Sequence, residues 1–190
     1  MRNAIAATVL SVLIAAGAAG AQPPQVPEAK RTDLGLYATA TDAYAKWKAD
    51  PERVKIVDVR TPEEYVFVGH PAMAWNVPLK FLAYQWNSET KKPVMETNPA
   101  FVARVKRIVS PTDTILVICR SGARSGPAVN LLAEAGFKNV YSVVDGVEGD
   151  KVSDPESAFF GKRMMNGWKN SGLPWTYDLD PKLMNLSTDK

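Results

Sequence analysis

Residues 114–127 read T-I-L-V-I-C-R-S-G-A-R-S-G-P, and the rest of the chain is organised around this stretch. Residues 114–118 are an unbroken run of Leu and β-branched residues, which predicts a strand buried on both faces, as in a parallel sheet. The run ends at Cys119 and a short polar loop follows. A helix is then predicted, with Ser125 as its cap and Pro127 in its first turn, ending at Gly136.

A cysteine between a strand and a helix N-terminus lies where backbone N–H groups and the helix dipole favour an anion. Arg120 and Arg124 add positive charge beside it, so the sequence predicts that Cys119 is a nucleophilic thiolate. The alternative is a small buried hydrophobic residue, which is the usual role of a lone cysteine. Two arginines and two glycines in the next seven residues favour the reactive cysteine.

The composition limits the classes of protein to which the chain can belong. Its 190 residues suffice for one domain with a substantial core. The single cysteine excludes an internal disulfide, and with a single histidine it cannot form a zinc cluster, so we expect no metal. The formal charge of +3 is too small and too dispersed to indicate a nucleic-acid partner.

The first 21 residues have the pattern of a secretory signal peptide. Arg2 precedes an apolar run at 4–16, and Ala19-Gly20-Ala21 fits the small-x-small cleavage pattern. The pattern predicts cleavage before Gln22, export to the periplasm, and no membrane association after cleavage. An uncleaved anchor is the alternative, although the apolar run is short for a bilayer span.

Strand and helix patterns alternate along the remaining chain. A Pro-rich leader at 22–34 is predicted to be extended and mobile, a single domain is predicted at 35–178, and a tail follows at 179–190. Strands are predicted near 36–38, 54–60, 74–78 and 140–144, helices from Thr41, Thr61 and Asn98, and a polar loop at 85–97. This order predicts a three-layer α/β fold with a parallel sheet. Ligands bind at the carboxyl ends of such strands, where Cys119 and Asp58 both fall.

Five short segments follow one another in a recognisable order. They are V-D-V-R-T-P-E-E-Y (57–65), G-H with N-V-P (69–70, 76–78), C-R-S-G-A-R-S (119–125), G-F-K-N-V-Y (136–141), and Trp168 with G-L-P (172–174). Together they resemble the motifs of the single-domain rhodaneses, a family of sulfurtransferases. The resemblance implies a rhodanese-like α/β fold with a central, mainly parallel five-stranded sheet.

The resemblance also implies a sulfur shuttle through a persulfide on Cys119, without a cofactor. The donor is a small anion such as thiosulfate, and the acceptor is cyanide or a thiol, with a protein sulfur carrier as a further candidate. The implied substrate-binding loop consists of Arg120, Ser121, Gly122, Ala123, Arg124 and Ser125. Asp58 and Arg60 are implied to support this loop from within, and a proton-transfer role for Asp58 is less favoured.

Three features depart from the family pattern, and the first is G-H-P-A-M-A at 69–74, where the family has G-H-I-P-G-A. Asp145-Gly146 stands where the family has Gly-Gly, and residues 147–166 look like an insertion before Trp168. The insertion carries Phe159, Phe160, Met164 and Met165. We interpret it as an ordinary packed excursion, in preference to a cover over the active-site rim or a partner surface.

Three other functions compete with sulfur transfer. A phosphatase or arsenate reductase needs an arginine six places after the cysteine, but Ser125 stands there and Arg124 comes one place early. A non-catalytic persulfide-binding or interaction module usually lacks the cysteine. A Cys–His hydrolase would need His70 as its base, for which a structural hydrogen-bonding role is favoured.

Overall fold

The computed structural model describes residues 26–184, and its centre is a sheet of five parallel strands. The strands are β1 (Tyr37–Ala38), β2 (Val54–Asp58), β3 (His70–Pro71), β4 (Trp75–Asn76), β5 (Lys80–Asn87), β6 (Lys92–Thr97), β7 (Thr114–Ile118), β8 (Val140–Val143) and β9 (Trp175–Thr176). The helices are α1 (Ala40–Ala49), α2 (Pro62–Val68), α3 (Phe101–Ile108) and α4 (Ser125–Glu134). The central sheet has the order β1–β8–β7–β2–β4, while β3 pairs with β9 and β5 with β6.

Apolar side chains cover both faces of the central sheet. One face packs against α3 and α4 in a core that includes Val57, Val117, Phe101 and Leu132. The other face packs against α1 and the C-terminal segment in a core that includes Ile56, Leu116, Ala43 and Trp168. This arrangement confirms the predicted three-layer α/β fold with a five-stranded parallel sheet.

The pairing of β2 with β7 brings the predicted site residues to one edge of the sheet. The two strands run parallel, with Asp58 opposite Ile118. The N–H of Val59 then donates to the Ile118 carbonyl at 2.9 Å, just before Cys119. Because both chains leave the sheet at its carboxyl edge, the segments that follow them meet there.

The sequence predicts the start of α2 correctly and misplaces the other three helix starts. Thr61 and Glu64 form a reciprocal capping box at α2, as their spacing indicates. The same box at α1 uses Thr39, so the start predicted at Thr41 is two residues late. The N-cap of α3 is Ala100, so the start predicted at Asn98 is two residues early. At α4 the N-cap residue is Arg124 and no side chain caps the helix, so the prediction that Ser125 is the cap is wrong.

Residues 80–97 form an antiparallel hairpin of β5 and β6, so the polar loop predicted at 85–97 is wrong. The pairing has an irregularity between Leu82 and Trp86. The side chains of the hairpin are largely exposed, with Tyr84 at 80% and Trp86 at 65%. A strand pair with no buried face needs no alternation of polar and apolar residues, and the sequence therefore carried no strand signal here.

The chain segments at either end of the domain are in contact with it. The leader makes a 3₁₀ turn at Glu28–Lys30, and the Asp33 N–H donates to the Asn130 side chain of α4 at 3.1 Å. The prediction of an extended leader is therefore wrong for residues 26–34. In the tail, the Leu183 carbonyl accepts from the N–H of Asn76 at 2.7 Å. The predicted signal peptide and the last six residues of the tail lie outside the described residues.

Residues 147–166, the predicted insertion, form an excursion from the domain between β8 and Trp168. Isolated bridges between Lys151 and Arg163 and between Val152 and Phe160 close the excursion. Its apolar side chains are nevertheless 47–61% exposed, namely Phe159, Phe160, Met164 and Met165. The interpretation as an ordinary packed excursion is wrong for these four side chains. Within residues 26–184, no helix is long and apolar enough to cross a membrane.

Candidate active site

Cys119 lies at the base of a loop between β7 and α4. The residue is only 1% exposed, and it belongs to the core cluster beneath α4. Its sulfur nevertheless has a polar neighbour, because the Gly122 N–H donates to Sγ at 3.2 Å. A backbone N–H directed at the sulfur stabilises the thiolate form of Cys119.

The conformation of this loop requires glycine at position 122. Gly122 has a φ of +91°, which L side chains rarely adopt. A Cβ atom there would also lie 2.2 Å from the carbonyl oxygen of Val144. The glycine thus allows the chain to turn back so that its N–H reaches the sulfur while its Cα passes close to the end of β8.

The segment after β8 supports the opposite side of the loop. The N–H of Val147 donates to the Cys119 carbonyl at 2.8 Å, and that of Glu148 to the Arg120 carbonyl at 2.9 Å. A Cβ on Gly146, whose φ is +65°, would lie 2.5 Å from the Cys119 carbonyl oxygen. The insertion therefore begins in direct contact with the cysteine loop.

Asp145, which stands in place of a family glycine, joins two parts of the chain. Its carboxylate accepts from the Ala40 N–H at 2.8 Å and from the Gly167 N–H at 3.1 Å. Burial raises the pKa of Asp145, although these backbone hydrogen bonds oppose the rise. The sequence marked Asp145 as a departure from the pattern but indicated no role for it.

Arg124 forms a bidentate ion pair with Glu64, to which both of its terminal nitrogens donate. The two N–O distances are 2.5 and 2.6 Å, and both side chains are about one-quarter exposed. Burial raises the pKa of Glu64, but the hydrogen bonds and charge of Arg124 outweigh it, so that the pKa lies below its usual value. The sequence pattern indicated only a capping role for Glu64, because its partner is 60 residues away.

Asp58 and Arg60 form a second, fully buried ion pair. The Arg60 Nη2 and Nε atoms donate to the Asp58 carboxylate at 2.6 and 3.0 Å, and Nη2 also donates to the Gly69 carbonyl at 2.8 Å. Burial lowers the pKa of Arg60, but the charge and hydrogen bonds of Asp58 and the charges of Glu64 and Glu148 together outweigh it, so that the pKa is raised. The pair ties the end of β2 to the turn after α2.

The remaining predicted site residues differ in accessibility. Arg120 and Ala123 are exposed, Ser121 is half-buried, and Ser125 is buried with no recorded partner for its hydroxyl group.

His70 is buried. Its ring stacks on that of Tyr65 with 3.6 Å between the ring centroids, and its Nδ1 lies 3.1 Å from the Pro71 carbonyl oxygen. These contacts hold His70 in the core. The described residues contain no group of three or more His, Cys, Asp or Glu side chains placed to hold a metal.

Comparisons with known proteins agree with this geometry. The family model described as "Rhodanese-like domain" matches residues 40–151. An uncharacterised protein of Rickettsia prowazekii is 34% identical over 122 residues, covering 64% of this chain and 82% of the relative. The chloroplastic thiosulfate sulfurtransferase 16 of Arabidopsis thaliana is 38% identical over 92 residues, covering 48% and 69%.

A solved structure supports the fold in particular. The crystal structure of a protein from M. tuberculosis superposes with a TM-score of 0.58 at 30% identity, and the match covers 75% of this chain and 99% of that one. The leader before residue 40 and most of the insertion after 151 lie outside the family match.

Proposed function

This chain belongs to the rhodanese-like domain family, and we propose that it is a sulfurtransferase that carries sulfane sulfur as a persulfide on Cys119. The observation that carries the proposal is the hydrogen bond from the Gly122 N–H to the Cys119 sulfur. Similarity to a protein named as a thiosulfate sulfurtransferase supports the same reaction class. We take thiosulfate, or another small anionic sulfur donor, as the first substrate.

In the first step the Cys119 thiolate attacks the outer sulfur of thiosulfate. A bond forms between the two sulfur atoms as the bond from the outer sulfur to sulfite breaks, and sulfite leaves with the bonding electron pair. The product is a persulfide anion on Cys119. Backbone N–H groups of the loop then replace water around this anion.

In the second step an acceptor removes the outer sulfur. Cyanide or a thiolate attacks the terminal sulfur, and Cys119 leaves as the thiolate, ready for another cycle. Neither step changes the net number of protons on the enzyme, so no general base is required. A protein sulfur carrier is a further acceptor, because the insertion that begins in contact with the loop carries exposed apolar side chains.

Phosphatase or arsenate reductase chemistry is less well supported. Such enzymes bind a tetrahedral oxyanion through an arginine of the cysteine loop. The charge of Arg124 is already compensated by Glu64, to which both of its terminal nitrogens donate, so it is less available to an oxyanion. Arg120 is exposed, so its charge is available to an incoming anionic donor.

The direct test is the intact mass of the protein before and after incubation with thiosulfate. We expect a gain of one sulfur atom that cyanide or dithiothreitol removes and that is absent in Cys119→Ser. Turnover of thiosulfate by Cys119→Ser would refute the persulfide mechanism. No mass gain with thiosulfate, polysulfide or mercaptopyruvate would refute sulfur transfer itself.

We also propose that the protein is exported to the periplasm. The proposal rests on the signal-peptide pattern of residues 1–21 in the sequence. N-terminal sequencing of protein from a periplasmic extract should begin at Gln22. A chain that keeps its first residues and sediments with membranes would support an uncleaved anchor instead.

A further inference from the structure

The leader reaches the cysteine loop through one side chain. The ammonium group of Lys30 donates to the Val144 carbonyl at 2.8 Å and to Asp150 Oδ1 at 3.2 Å. The Lys30 side chain is only 16% exposed, whereas that of Asp150 is 49% exposed. Lys30 thus ties the leader to the end of β8 and to the start of the insertion at the same time.

The Val144 carbonyl that Lys30 holds is the one that packs on Gly122. A Cβ on Gly122 would lie 2.2 Å from this oxygen and 3.0 Å from the Cδ atom of Lys30. The alkyl stem of Lys30 and the carbonyl it binds therefore close one side of Gly122. The N–H of that same glycine donates to the Cys119 sulfur.

The backbone of the leader also packs on the first turn of α4. A Cβ on Gly126 would lie 3.5 Å from the carbonyl oxygens of both Lys30 and Arg31, which is ordinary van der Waals contact. Beyond the ammonium group, Asp150 is fixed by Asn166, whose side chain accepts from the Asp150 N–H at 2.8 Å and donates to its carboxylate at 3.1 Å. The backbone of Lys30 is therefore held by α4, and its ammonium group is held by an Asp150 that is itself fixed.

The geometry points to Lys30 as a positioning residue of the Cys119 loop. Its ammonium group holds the Val144 carbonyl in contact with Gly122, and its alkyl chain packs on the same glycine. These two contacts keep the Gly122 N–H directed at the Cys119 sulfur. Lys30 lies ahead of the family match, which begins at residue 40, so the leader completes the active site of this chain. The inference deepens the proposed function and rests on it for its catalytic readout. Its effect on the thiol itself can be measured without any sulfur donor.

The test compares Lys30→Met, which keeps a stem but loses the ammonium group, with Lys30→Arg, which keeps the charge and the donors. Lys48→Met, at an exposed position of α1, is the matched control. The first readout is the rate at which iodoacetamide alkylates the full-length protein, which is specific because Cys119 is the only cysteine. The second is the rate of persulfide formation at increasing thiosulfate concentration.

We expect Lys30→Met to lower the alkylation rate and the limiting rate of persulfide formation about tenfold. The reason is that a displaced Gly122 N–H stabilises the sulfur anion less well. The thiosulfate concentration that gives half the limiting rate should be unchanged, since Lys30 does not touch the donor. Lys30→Arg should stay within about twofold of the wild type, and Lys48→Met should match it. Wild-type rates in Lys30→Met, or equal losses in Lys30→Met and Lys30→Arg, would overturn the assignment.

The two readouts separate failure of this inference from failure of the proposed function. If the wild type forms no persulfide but the alkylation rates follow the expected order, sulfur transfer is wrong and the positioning role stands. If persulfide forms equally fast in all variants, the positioning role is wrong. Should Lys30→Met not fold, Asp150→Asn replaces it: slower alkylation at unchanged thermal stability supports the role, and an unchanged rate counts against it.

Discussion

Arg124 of the cysteine loop and Glu64 of α2 form a bidentate ion pair, with N–O distances of 2.5 and 2.6 Å. Glu64 also accepts from the Thr61 N–H at 3.2 Å, so one carboxylate both caps α2 and braces the loop. The guanidinium group is therefore held by the fold before any donor arrives. We conclude that Arg124 shapes the loop and that its charge is largely compensated.

Replacing Glu64 by Gln should destabilise the protein in a pH-dependent manner. Arg124 holds the pKa of Glu64 below its usual 4.5, despite the opposing and larger single contribution of burial. A carboxyl group whose pKa is lowered on folding contributes stability above the unfolded-state value and loses it as the pH falls through the folded-state value. At pH 7 we expect a loss of about 1–2 kcal/mol, less than for a fully buried pair because both side chains are partly exposed.

Urea unfolding at several pH values between 7 and 3 measures this effect. The stability difference between wild type and Glu64→Gln should shrink as the pH falls below 4.5, because Glu64 is then protonated in the unfolded chain before it is protonated in the folded protein. The difference should disappear once the pH falls through the lowered folded-state pKa of Glu64. Glu89→Gln, the same change at an exposed position in the hairpin turn, should show no such difference. A Glu64→Gln deficit that stays constant down to pH 3 would contradict the charge-based explanation.

Asp58→Asn should be the most destabilising of the single changes considered. Both Asp58 and Arg60 are 0% exposed, so the change leaves a buried guanidinium group without its counter-charge. We expect a loss of about 3–5 kcal/mol in urea unfolding. The double variant Asp58→Leu with Arg60→Met removes both charges and should recover part of this loss. A double variant less stable than Asp58→Asn would show that other contacts dominate.

The sequence predicted the centre of the site because its strands are strongly apolar. Residues 54–58 and 114–118 are recognisable as buried strands, and the rule that parallel strands end at one edge brings Asp58 beside Cys119. The order of strands and helices was sufficient to predict the three-layer fold. Local signals of this kind are encoded within a few consecutive residues.

What the sequence could not provide are contacts between distant polar residues. Glu64 and Arg124 are separated by 60 positions, and Lys30 and Val144 by 114, so neither pair has a local pattern. The capping box already explained Glu64, and the prolines of the leader indicated an extended segment. Ion pairs of this kind depend on the packed fold, which sets which side chains meet.

Arg120→Ala and Arg124→Ala should affect different kinetic constants. Arg120 is exposed at the loop, so its loss should raise the KM for thiosulfate about fivefold and leave kcat almost unchanged, as expected for an exposed charge that attracts an anionic donor. An uncharged persulfide donor should show no change in KM. Exposed Arg107→Ala of α3 is the control.

Arg124→Ala tests the alternative that Arg124 itself binds the donor. Because Glu64 holds its guanidinium group, we expect mainly a lower kcat and lower stability, with similar effects on charged and uncharged donors. A rise in KM that is selective for thiosulfate in Arg124→Ala, and absent in Arg120→Ala, would reverse the two assignments.

Gly122→Ala should slow alkylation and persulfide formation by at least about tenfold, because a Cβ there meets the Val144 carbonyl and moves the N–H away from the sulfur. Gly136→Ala is a closely matched control. Gly136 also has a positive φ, +98°, but its Cβ would meet nothing within 4 Å. Gly136→Ala should lose about 1 kcal/mol of stability from backbone strain alone. Gly122→Ala should lose more, because its Cβ also clashes with the Val144 backbone, and only Gly122→Ala should lose reactivity. Equal rates in the two variants would show that the Gly122 N–H contributes nothing to the chemistry of Cys119.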